Sequence, residues 1–170
     1  MSEVAKAERA YHITISVNNS PYKLSVRPDE TLREVLHDRL GFTSVKYGCD
    51  SGDCCACTVI LNGMAVQSCL LLAIEANGDN ILTLEGLSLD GQLHPLQQAF
   101  LENGAVQCGF CTPGMILTAK ALLDENSNPT TEEIKEAMQG NLCRCTGYVK
   151  IIEAIKSVIS EENKAKDTTD

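Results

Sequence analysis

The stretch GCDSGDCCAC, residues 48–57, is the most informative part of the sequence, because it holds Cys49, Cys54 and Cys57 with four and then two residues between them. Cys69 follows after eleven further residues. Three thiolates from one loop and a fourth from farther along the chain have the ligand spacing of a plant-type [2Fe–2S] cluster. The spacing therefore predicts such a cluster, and it disfavours a zinc site or unligated core thiols.

A second group of cysteines lies in the motifs QCGFCTPGM, residues 107–115, and GNLCRCTGY, residues 140–148. Its four members are Cys108, Cys111, Cys143 and Cys145. Each pair precedes a predicted helix, and the free N–H groups of a helix N-terminus favour an anionic cluster. Taken alone, this spacing fits a four-cysteine zinc site equally well. The ferredoxin-type loop on the same chain favours a second redox centre.

The charge and the apolar pattern of the chain exclude several classes of protein. The 170 residues carry a formal net charge of −9, which disfavours nucleic acid because phosphate backbones require a cationic face. The longest apolar run, residues 69–74, is far shorter than a membrane span of about 20 residues. No secretory signal begins the chain, so a cytoplasmic location is expected. Nine cysteines in that reducing compartment favour metal ligation over disulfides.

The first half of the chain alternates polar and apolar residues with the period of β-strands. It predicts a hairpin with strands at 12–17 and 22–26, a second hairpin across 58–67 with an Asn-Gly turn, and a fifth strand at 81–84. A helix at 31–40 begins at a Thr-x-x-Glu capping box and ends before a glycine.

The apolar period changes after Gly86 to that of helices, through the linker 87–91. Four short helices are predicted. The first three begin at Pro95, at Pro113 and at a capping box that starts with Thr130, and the last includes residues 151–159. The predicted organisation is an N-terminal tail at 1–10, a β-rich domain at 11–86, a helical domain at 92–160 and a polar C-terminal tail at 161–170.

The three cysteine motifs closely resemble those of the small iron–sulfur subunits of molybdenum hydroxylases, the family of xanthine dehydrogenase, aldehyde oxidoreductase and carbon monoxide dehydrogenase. The likeness runs from about residue 11 to residue 160 and is nearest to the small subunits of nicotinate dehydrogenase and 4-hydroxybenzoyl-CoA reductase. It implies an α+β fold, in which a plant-type ferredoxin-like β-grasp domain precedes an all-α four-helix domain. Each domain would hold one [2Fe–2S] cluster, the second of them buried.

The resemblance also implies an electron-transfer subunit of an oxidoreductase, with no substrate site of its own. Electrons would pass from a molybdopterin on a large partner subunit, through the second and then the first cluster, to FAD on a medium partner subunit. The expected assembly is a dimer of heterotrimers, and the expected substrate is aromatic or N-heterocyclic. A free-standing two-cluster ferredoxin and a zinc-stabilised interaction module are the alternatives.

The same resemblance implies roles for two individual residues, and a third residue departs from the family pattern. Gln107 matches the position that contacts the pterin cofactor, and Cys145 matches the cluster ligand nearest to it. Cys55 stands where the family normally has glycine. If that position requires a positive φ, a side chain there costs about 1 kcal/mol. Cys55 is left over after two sets of four, so it is expected to be a bystander, the alternative being ligand exchange with Cys54 during assembly.

Three further polar residues are interpreted as structural. His94 precedes Pro95 at a helix start, which favours a cap over a catalytic base. Asp50 and Asp53 lie in the first cysteine loop, where they are expected to accept local hydrogen bonds and to shape the surface charge.

Overall fold

A computed structural model describes the backbone at residues 10–88 and 90–167, and the side chains as far as residue 160. Within these residues, five strands and five α-helices give the α+β fold that the sequence predicts. Apart from Ala10, the predicted N-terminal tail lies outside the described residues. The strands are β1 (Tyr11–Val17), β2 (Ser20–Val26), β3 (Thr58–Leu61), β4 (Met64–Gln67) and β5 (Asn80–Leu82).

The strands form one mixed sheet in the order β2-β1-β5-β3-β4. β1 and β2 pair in antiparallel fashion, and so do β3 and β4, which confirms both predicted hairpins. β5 runs parallel to β1 and antiparallel to β3. The last strand in the chain therefore joins the two hairpins into a single sheet.

The first hairpin is tighter than the sequence predicts. Asn18 and Asn19 have φ values of 51° and 63°, as in a two-residue type I′ turn. The second strand therefore begins at Ser20 and includes Pro21, where the alternation indicated a turn. Pro21 is tolerated because β2 is an edge strand, so its missing N–H deprives no neighbouring strand of a hydrogen bond.

The predicted helix between the hairpins is present in a modified form. Thr31 and Glu34 form the capping box, and α1 (Leu32–Glu34) continues as a π-helical segment, Val35–Arg39. Gly41 follows with a φ of 78°, the left-handed value that ends a helix.

Two short 3₁₀ turns, Ala73–Ala76 and Leu84–Gly86, are not predicted by the alternation. The second turn replaces the end of the predicted fifth strand. Thr83 exchanges hydrogen bonds with the Asn18 side chain, at 2.9 and 3.0 Å, instead of extending the ladder. The strand therefore ends at Leu82.

Helices begin in the C-terminal half where the sequence predicts them. They are α2 (Pro95–Glu102), α3 (Thr112–Glu125), α4 (Thr131–Met138) and α5 (Val149–Asp167). His94 caps α2 as expected, since its Nδ1 accepts a hydrogen bond from the Leu96 N–H at 3.2 Å. The predicted tail at 161–170 is helical as far as Asp167, because α5 continues through Glu, Lys and Ala residues of high helix propensity, and residues 168–170 lie outside the described part of the chain. None of the helices that the structure describes has the length and apolarity of a membrane span.

Two apolar clusters share strand β3. Ile15, Leu36 and Val59 are fully buried in the first cluster. Ile60 belongs to the second cluster, in which the helices bury Phe100 and other large side chains. Successive residues of a strand point to opposite faces, so β3 contributes to both clusters and α3 packs against it.

The helical half meets the first cysteine loop at the backbone of Cys55. The buried Asn141 donates from Nδ2 to the Cys55 carbonyl at 3.2 Å and accepts a hydrogen bond from Thr118 Oγ1 at 3.0 Å. A Cβ atom added at Gly114 would lie 2.5 Å from the same carbonyl oxygen. At Gly140 an added Cβ would lie 3.5 Å from Cys55 Sγ, an ordinary contact. Only the glycine on α3 is therefore required by packing at this junction.

We expect Gly114→Ala to destabilise the chain by about 1–3 kcal/mol, the usual cost of overpacking, because the added methyl group meets main chain. Gly140→Ala is the matched control and should change stability by less than about 0.5 kcal/mol. Thermal unfolding followed by circular dichroism measures both effects. Equal melting temperatures for Gly114→Ala and the wild type would contradict the close packing at Cys55.

Candidate metal centres

The first set of predicted ligands converges where the loop before β3 meets the end of β4. The thiol of Cys49 lies in contact with Cys54, and that of Cys69 with Cys57. Cys57 and Cys69 are buried, whereas Cys49 and Cys54 are half-buried. The structure thus brings together the four thiols that the plant-type spacing singles out.

Glycine and backbone N–H groups shape this loop around sulfur. A Cβ atom at Gly48 would lie 2.6 Å from Cys54 Sγ, so only glycine leaves room for that thiol. The N–H of Ser51 points at Cys49 Sγ and the N–H of Ala56 at Cys54 Sγ, both at 3.5 Å. Such donors stabilise negative charge on the sulfur atoms of a cluster.

The surroundings change the acidity of these thiols in opposite directions. Hydrogen bonds from the Ser51 hydroxyl and N–H, and then from Cys54, lower the pKa of Cys49 to about 6. Burial, and then contact with Cys57, raises the pKa of Cys69. A set in which some thiols resist ionisation needs a nearby cation before all four can be thiolates. The donor set therefore fits a bound metal centre, which supplies that cation.

The second set converges between the loop before α3 and the loop that joins α4 to α5. The sulfur atoms of Cys108 and Cys145 are 3.6 Å apart, and the thiols of Cys111 and Cys143 are in contact. Burial, and then that contact, raises the pKa of Cys111 to about 12. Burial also raises the pKa of Cys143, but hydrogen bonds from the Thr146 hydroxyl and N–H outweigh it and lower the pKa overall.

In both sets the thiols lie in pairs. Two thiolates on one tetrahedral metal, at about 2.3 Å from it, lie about 3.8 Å apart. The 3.6 Å between Cys108 and Cys145 is close to that value. A [2Fe–2S] cluster takes two thiolates on each iron, and the paired thiols fit that arrangement.

Tyr148 holds the loop of the second set in place. Its hydroxyl accepts a hydrogen bond from the Cys143 N–H at 2.9 Å and donates one to the Asn141 carbonyl at 3.1 Å. The Thr146 N–H points at Cys143 Sγ at 3.4 Å. The sequence reasoning missed Tyr148 and Asn141, although both lie inside the GNLCRCTGY motif that it singled out.

A direct main-chain hydrogen bond connects the two sets. The Leu142 N–H donates to the carbonyl of Cys54 at 3.1 Å, and Leu142 directly precedes Cys143. The ring of Phe110, in the CGFC turn of the second set, also reaches the first loop, since a Cβ atom at Gly48 would lie 3.6 Å from it. Packing and hydrogen bonding therefore fix the two sets relative to each other.

The two sets differ in exposure. Cys108 and Cys145 of the second set are exposed, and so is Gln107 beside them. The chain by itself therefore leaves part of the second site open to solvent, and the expected burial of this cluster beside a partner subunit stays a prediction. Burial of these thiols requires a partner that covers this surface. The predicted contact of Gln107 with a pterin stays a prediction.

Cys55 occupies a position that favours glycine. Its φ is 52°, so its side chain carries a conformational cost of about 1 kcal/mol. The buried thiol accepts a hydrogen bond from Gln67 Nε2 at 2.8 Å. These contacts are with β4, outside the first set of thiols, and they support the interpretation of Cys55 as a bystander.

The two aspartates of the first loop have different partners. Asp53 accepts a hydrogen bond from the Ser51 hydroxyl, a local contact of the expected kind. Asp50 instead forms an ion pair with Arg33, whose Nε lies 3.2 Å from Asp50 Oδ1. The sequence reasoning missed Arg33, because a pairing between a helix and a distant loop leaves no mark in the spacing of residues.

Family models match both halves of the chain. Residues 15–83 match the 2Fe-2S iron-sulfur cluster binding domain, and residues 83–156 match the [2Fe-2S] binding domain. With the two sets of paired thiols, these matches define an iron–sulfur protein that has two cluster-binding regions.

Similar proteins show to which family of iron–sulfur proteins the chain belongs. The nicotinate dehydrogenase small FeS subunit of Eubacterium barkeri is 54% identical over 147 residues, which cover 86% of this chain and 94% of the relative. The xanthine dehydrogenase iron-sulfur-binding subunit of Escherichia coli O157:H7 is 46% identical over 145 residues, which cover 84% of this chain and 91% of the relative. Among solved structures, a chain of quinoline 2-oxidoreductase from Pseudomonas putida 86 matches with a TM-score of 0.87 and 42% sequence identity. The match covers 92% of this chain and 97% of that chain. The chain belongs to the family of small iron–sulfur subunits of molybdenum hydroxylases, and its role is electron transfer within an oxidoreductase.

We expect iron analysis to give about four irons per chain, because the two sets of thiols each fit a cluster of two irons. Reduction should produce two distinct EPR signals. One zinc ion in place of two of the irons would contradict the assignment of the second site.

Cys55→Gly and Cys55→Ser should retain the full iron content and both EPR signals, because the thiol of Cys55 contacts Gln67 instead of the first set. Cys55→Gly should also be at least as stable as Cys55→Ser, since glycine relieves a positive-φ cost of about 1 kcal/mol. Cys54→Ser is the matched control and should lose the signal of the first cluster. Loss of that signal in Cys55→Ser would show that the ligand set is wrong.

Proposed function

We propose that the chain passes electrons one at a time from a molybdopterin centre on a large partner subunit to FAD on a medium partner subunit. The observation that carries this proposal is the hydrogen bond from the Leu142 N–H to the Cys54 carbonyl, which joins two complete sets of paired thiols. When bound, a [2Fe–2S] cluster accepts and releases one electron. Two connected sites suit a relay, whereas a zinc-stabilised interaction module would need no such connection.

The organisation of the chain supports this proposal. We interpret the sheet and α1, at 11–86, as a ferredoxin-like β-grasp domain that holds the first set. We interpret helices α2 to α5, at 92–160, as a four-helix domain that holds the second. The two apolar clusters, which meet at strands β3 and β5, support a division into two domains.

The chain's own residues hold the thiols and tune their charge. Ser51 and Thr146 donate hydrogen bonds that favour the thiolate forms of Cys49 and Cys143. The first apolar cluster excludes water from the buried members of the first set, which strengthens the effect of every fixed charge and dipole nearby. Ligation, N–H contacts and burial are the means by which a protein sets the reduction potential of such a centre.

Electrons are proposed to enter at the second set. Exposed apolar side chains, Leu142 and Val149, lie in or directly after the loop that carries the exposed Cys145. A large subunit that covers this loop would bury these apolar side chains together with the exposed thiols. Gln107 adds a neutral amide that can both donate and accept hydrogen bonds, so it can orient a polar pterin without adding charge beside anionic sulfur.

Electrons are proposed to leave at the first set. Tyr47 and Leu70, both exposed, lie within two residues of Cys49 and Cys69 along the chain. They offer a second apolar surface, next to the first thiols, for the FAD-binding partner. The large, medium and small subunits would form a dimer of heterotrimers in the cytoplasm, where thiols awaiting iron stay reduced.

An aromatic N-heterocycle is the proposed substrate of the assembly. Nicotinate and quinoline, after which two of the similar proteins are named, are both of this class. Substrate would bind at the molybdenum centre of the large subunit, so this chain influences turnover only through the rate of electron removal.

Gln107→Ala should slow reduction of the second cluster by substrate in the reconstituted complex, because the amide that orients the pterin is lost. Iron content and reduction from the flavin side should stay nearly unchanged. Rapid-freeze EPR after mixing with substrate, or with a flavin-directed reductant, measures the two routes separately.

Gln98→Ala is the matched control, since Gln98 is an exposed amide on α2 that pairs only with Glu102 among its described partners. It should leave both routes unchanged. Equal slowing of both routes by Gln107→Ala would indicate a folding defect, and no change in either would remove Gln107 from the site. Isolation of a red-brown protein without partner subunits from its native source would favour a free-standing ferredoxin.

A further inference from the structure

Arg33 on α1 is a buried cation beside the first set of thiols. Its side chain is only 6% exposed, and arginine is almost never buried without a partner. Arg33 Nε lies 3.2 Å from Asp50 Oδ1, and Asp50 directly follows Cys49. On its other sides, Nη1 lies 3.5 Å from Asp38 Oδ2, and the guanidinium carbon lies 4.6 Å from the centre of the Tyr47 ring. The guanidinium is therefore enclosed at the beginning of the cysteine loop.

The main chain of Arg33 contacts the other segment that supplies a thiol. Its N–H donates to the Ser68 carbonyl at 3.0 Å, and Cys69 is the next residue. The neighbouring N–H of Leu32 donates to the Leu71 carbonyl at 2.7 Å. Arg33 thus connects, through its side chain and its main chain, the two segments that carry the first set.

The contact between Arg33 and Asp50 is mainly coulombic. Within the described part of the chain, Arg33 Nε makes no hydrogen bond of good geometry, although the two charges are 3.2 Å apart. The Asp50 side chain is 42% exposed, against 6% for Arg33. Solvent therefore screens the carboxylates of Asp50 and Asp38, which are 42% and 53% exposed, more than it screens the guanidinium, so the charge of Arg33 acts in the less polar surroundings.

We propose that Arg33 is a positioning residue that raises the reduction potential of the first cluster, an inference that rests on the proposed function. Reduction adds one electron, and no bond changes, so the cluster gains one negative charge. A fixed cation in a buried position stabilises that charge, and the more exposed carboxylates of Asp50 and Asp38 offset part of the effect. Arg33 thereby makes the first cluster the better acceptor for electrons that arrive from the second.

The experiment is an EPR-monitored redox titration of the full-length chain with both clusters bound. Arg33→Gln should shift the reduction equilibrium of the first cluster about tenfold toward the oxidised form, which is about 59 mV for a one-electron couple. Asp50→Asn should shift it in the opposite direction, and the double variant should return toward the wild type. Arg33→Lys keeps the charge and should lie closer to the wild type than Arg33→Gln does.

Arg27→Gln is the matched control, because it removes a cation from an exposed ion pair with Asp29. It should leave the potential of the first cluster unchanged, and the second cluster is an internal reference in every sample. Unchanged potentials in both Arg33→Gln and Asp50→Asn, or shifts of the same sign, would overturn the inference. If Arg33→Gln fails to hold the first cluster, the potential of that cluster in Asp50→Asn is the test. A raised potential supports the inference, and an unchanged potential overturns it. Absence of the first EPR signal from the wild-type chain would instead contradict the proposed function.

Discussion

Thiolates that are brought into contact repel one another, and the rest of this structure depends on overcoming that repulsion in two places. Each set combines at least one thiol whose ionisation is favoured by hydrogen bonds, Cys49 or Cys143, with neighbours whose ionisation burial and crowding oppose. Metal ions supply the missing positive charge. The protein supplies inward-directed N–H groups and, at Gly48, room for a sulfur atom that any side chain would displace.

A relay also requires that the two sites keep a fixed separation. The helical half donates two hydrogen bonds to the first loop. Leu142 donates to the Cys54 carbonyl and Asn141 to the Cys55 carbonyl, and together they hold the loop against rotation. Gly114 lets α3 approach the same backbone. This close approach explains how Cys55 keeps a φ of 52° despite its side chain, because the surrounding contacts determine the conformation more strongly than the local cost opposes it.

The two sets differ in exposure, a difference that neither ligand spacing contains. The first set combines two buried thiols with the enclosed charge of Arg33, so its environment is built by this chain. The second set presents Cys108 and Cys145 at the surface, so its environment is completed by whatever covers it. A partner that covers the second set would therefore change the surroundings of its sulfur atoms more than a partner at the first set would change those of Cys57 and Cys69.

Features that local patterns encode could be predicted from the amino-acid sequence alone. The cysteine spacings singled out both sets of thiols, the Asn-Gly pair placed the second hairpin, and Thr31 with Glu34 placed the start of α1. Each of these signals acts within a few residues, where backbone geometry and residue type are sufficient. Tertiary structure alone decided that Pro21 lies in an edge strand, that Arg33 meets Asp50, and that Leu142 bonds to Cys54. These outcomes depend on which segments pack side by side, and that follows from burial of the whole apolar surface and not from any single spacing along the chain.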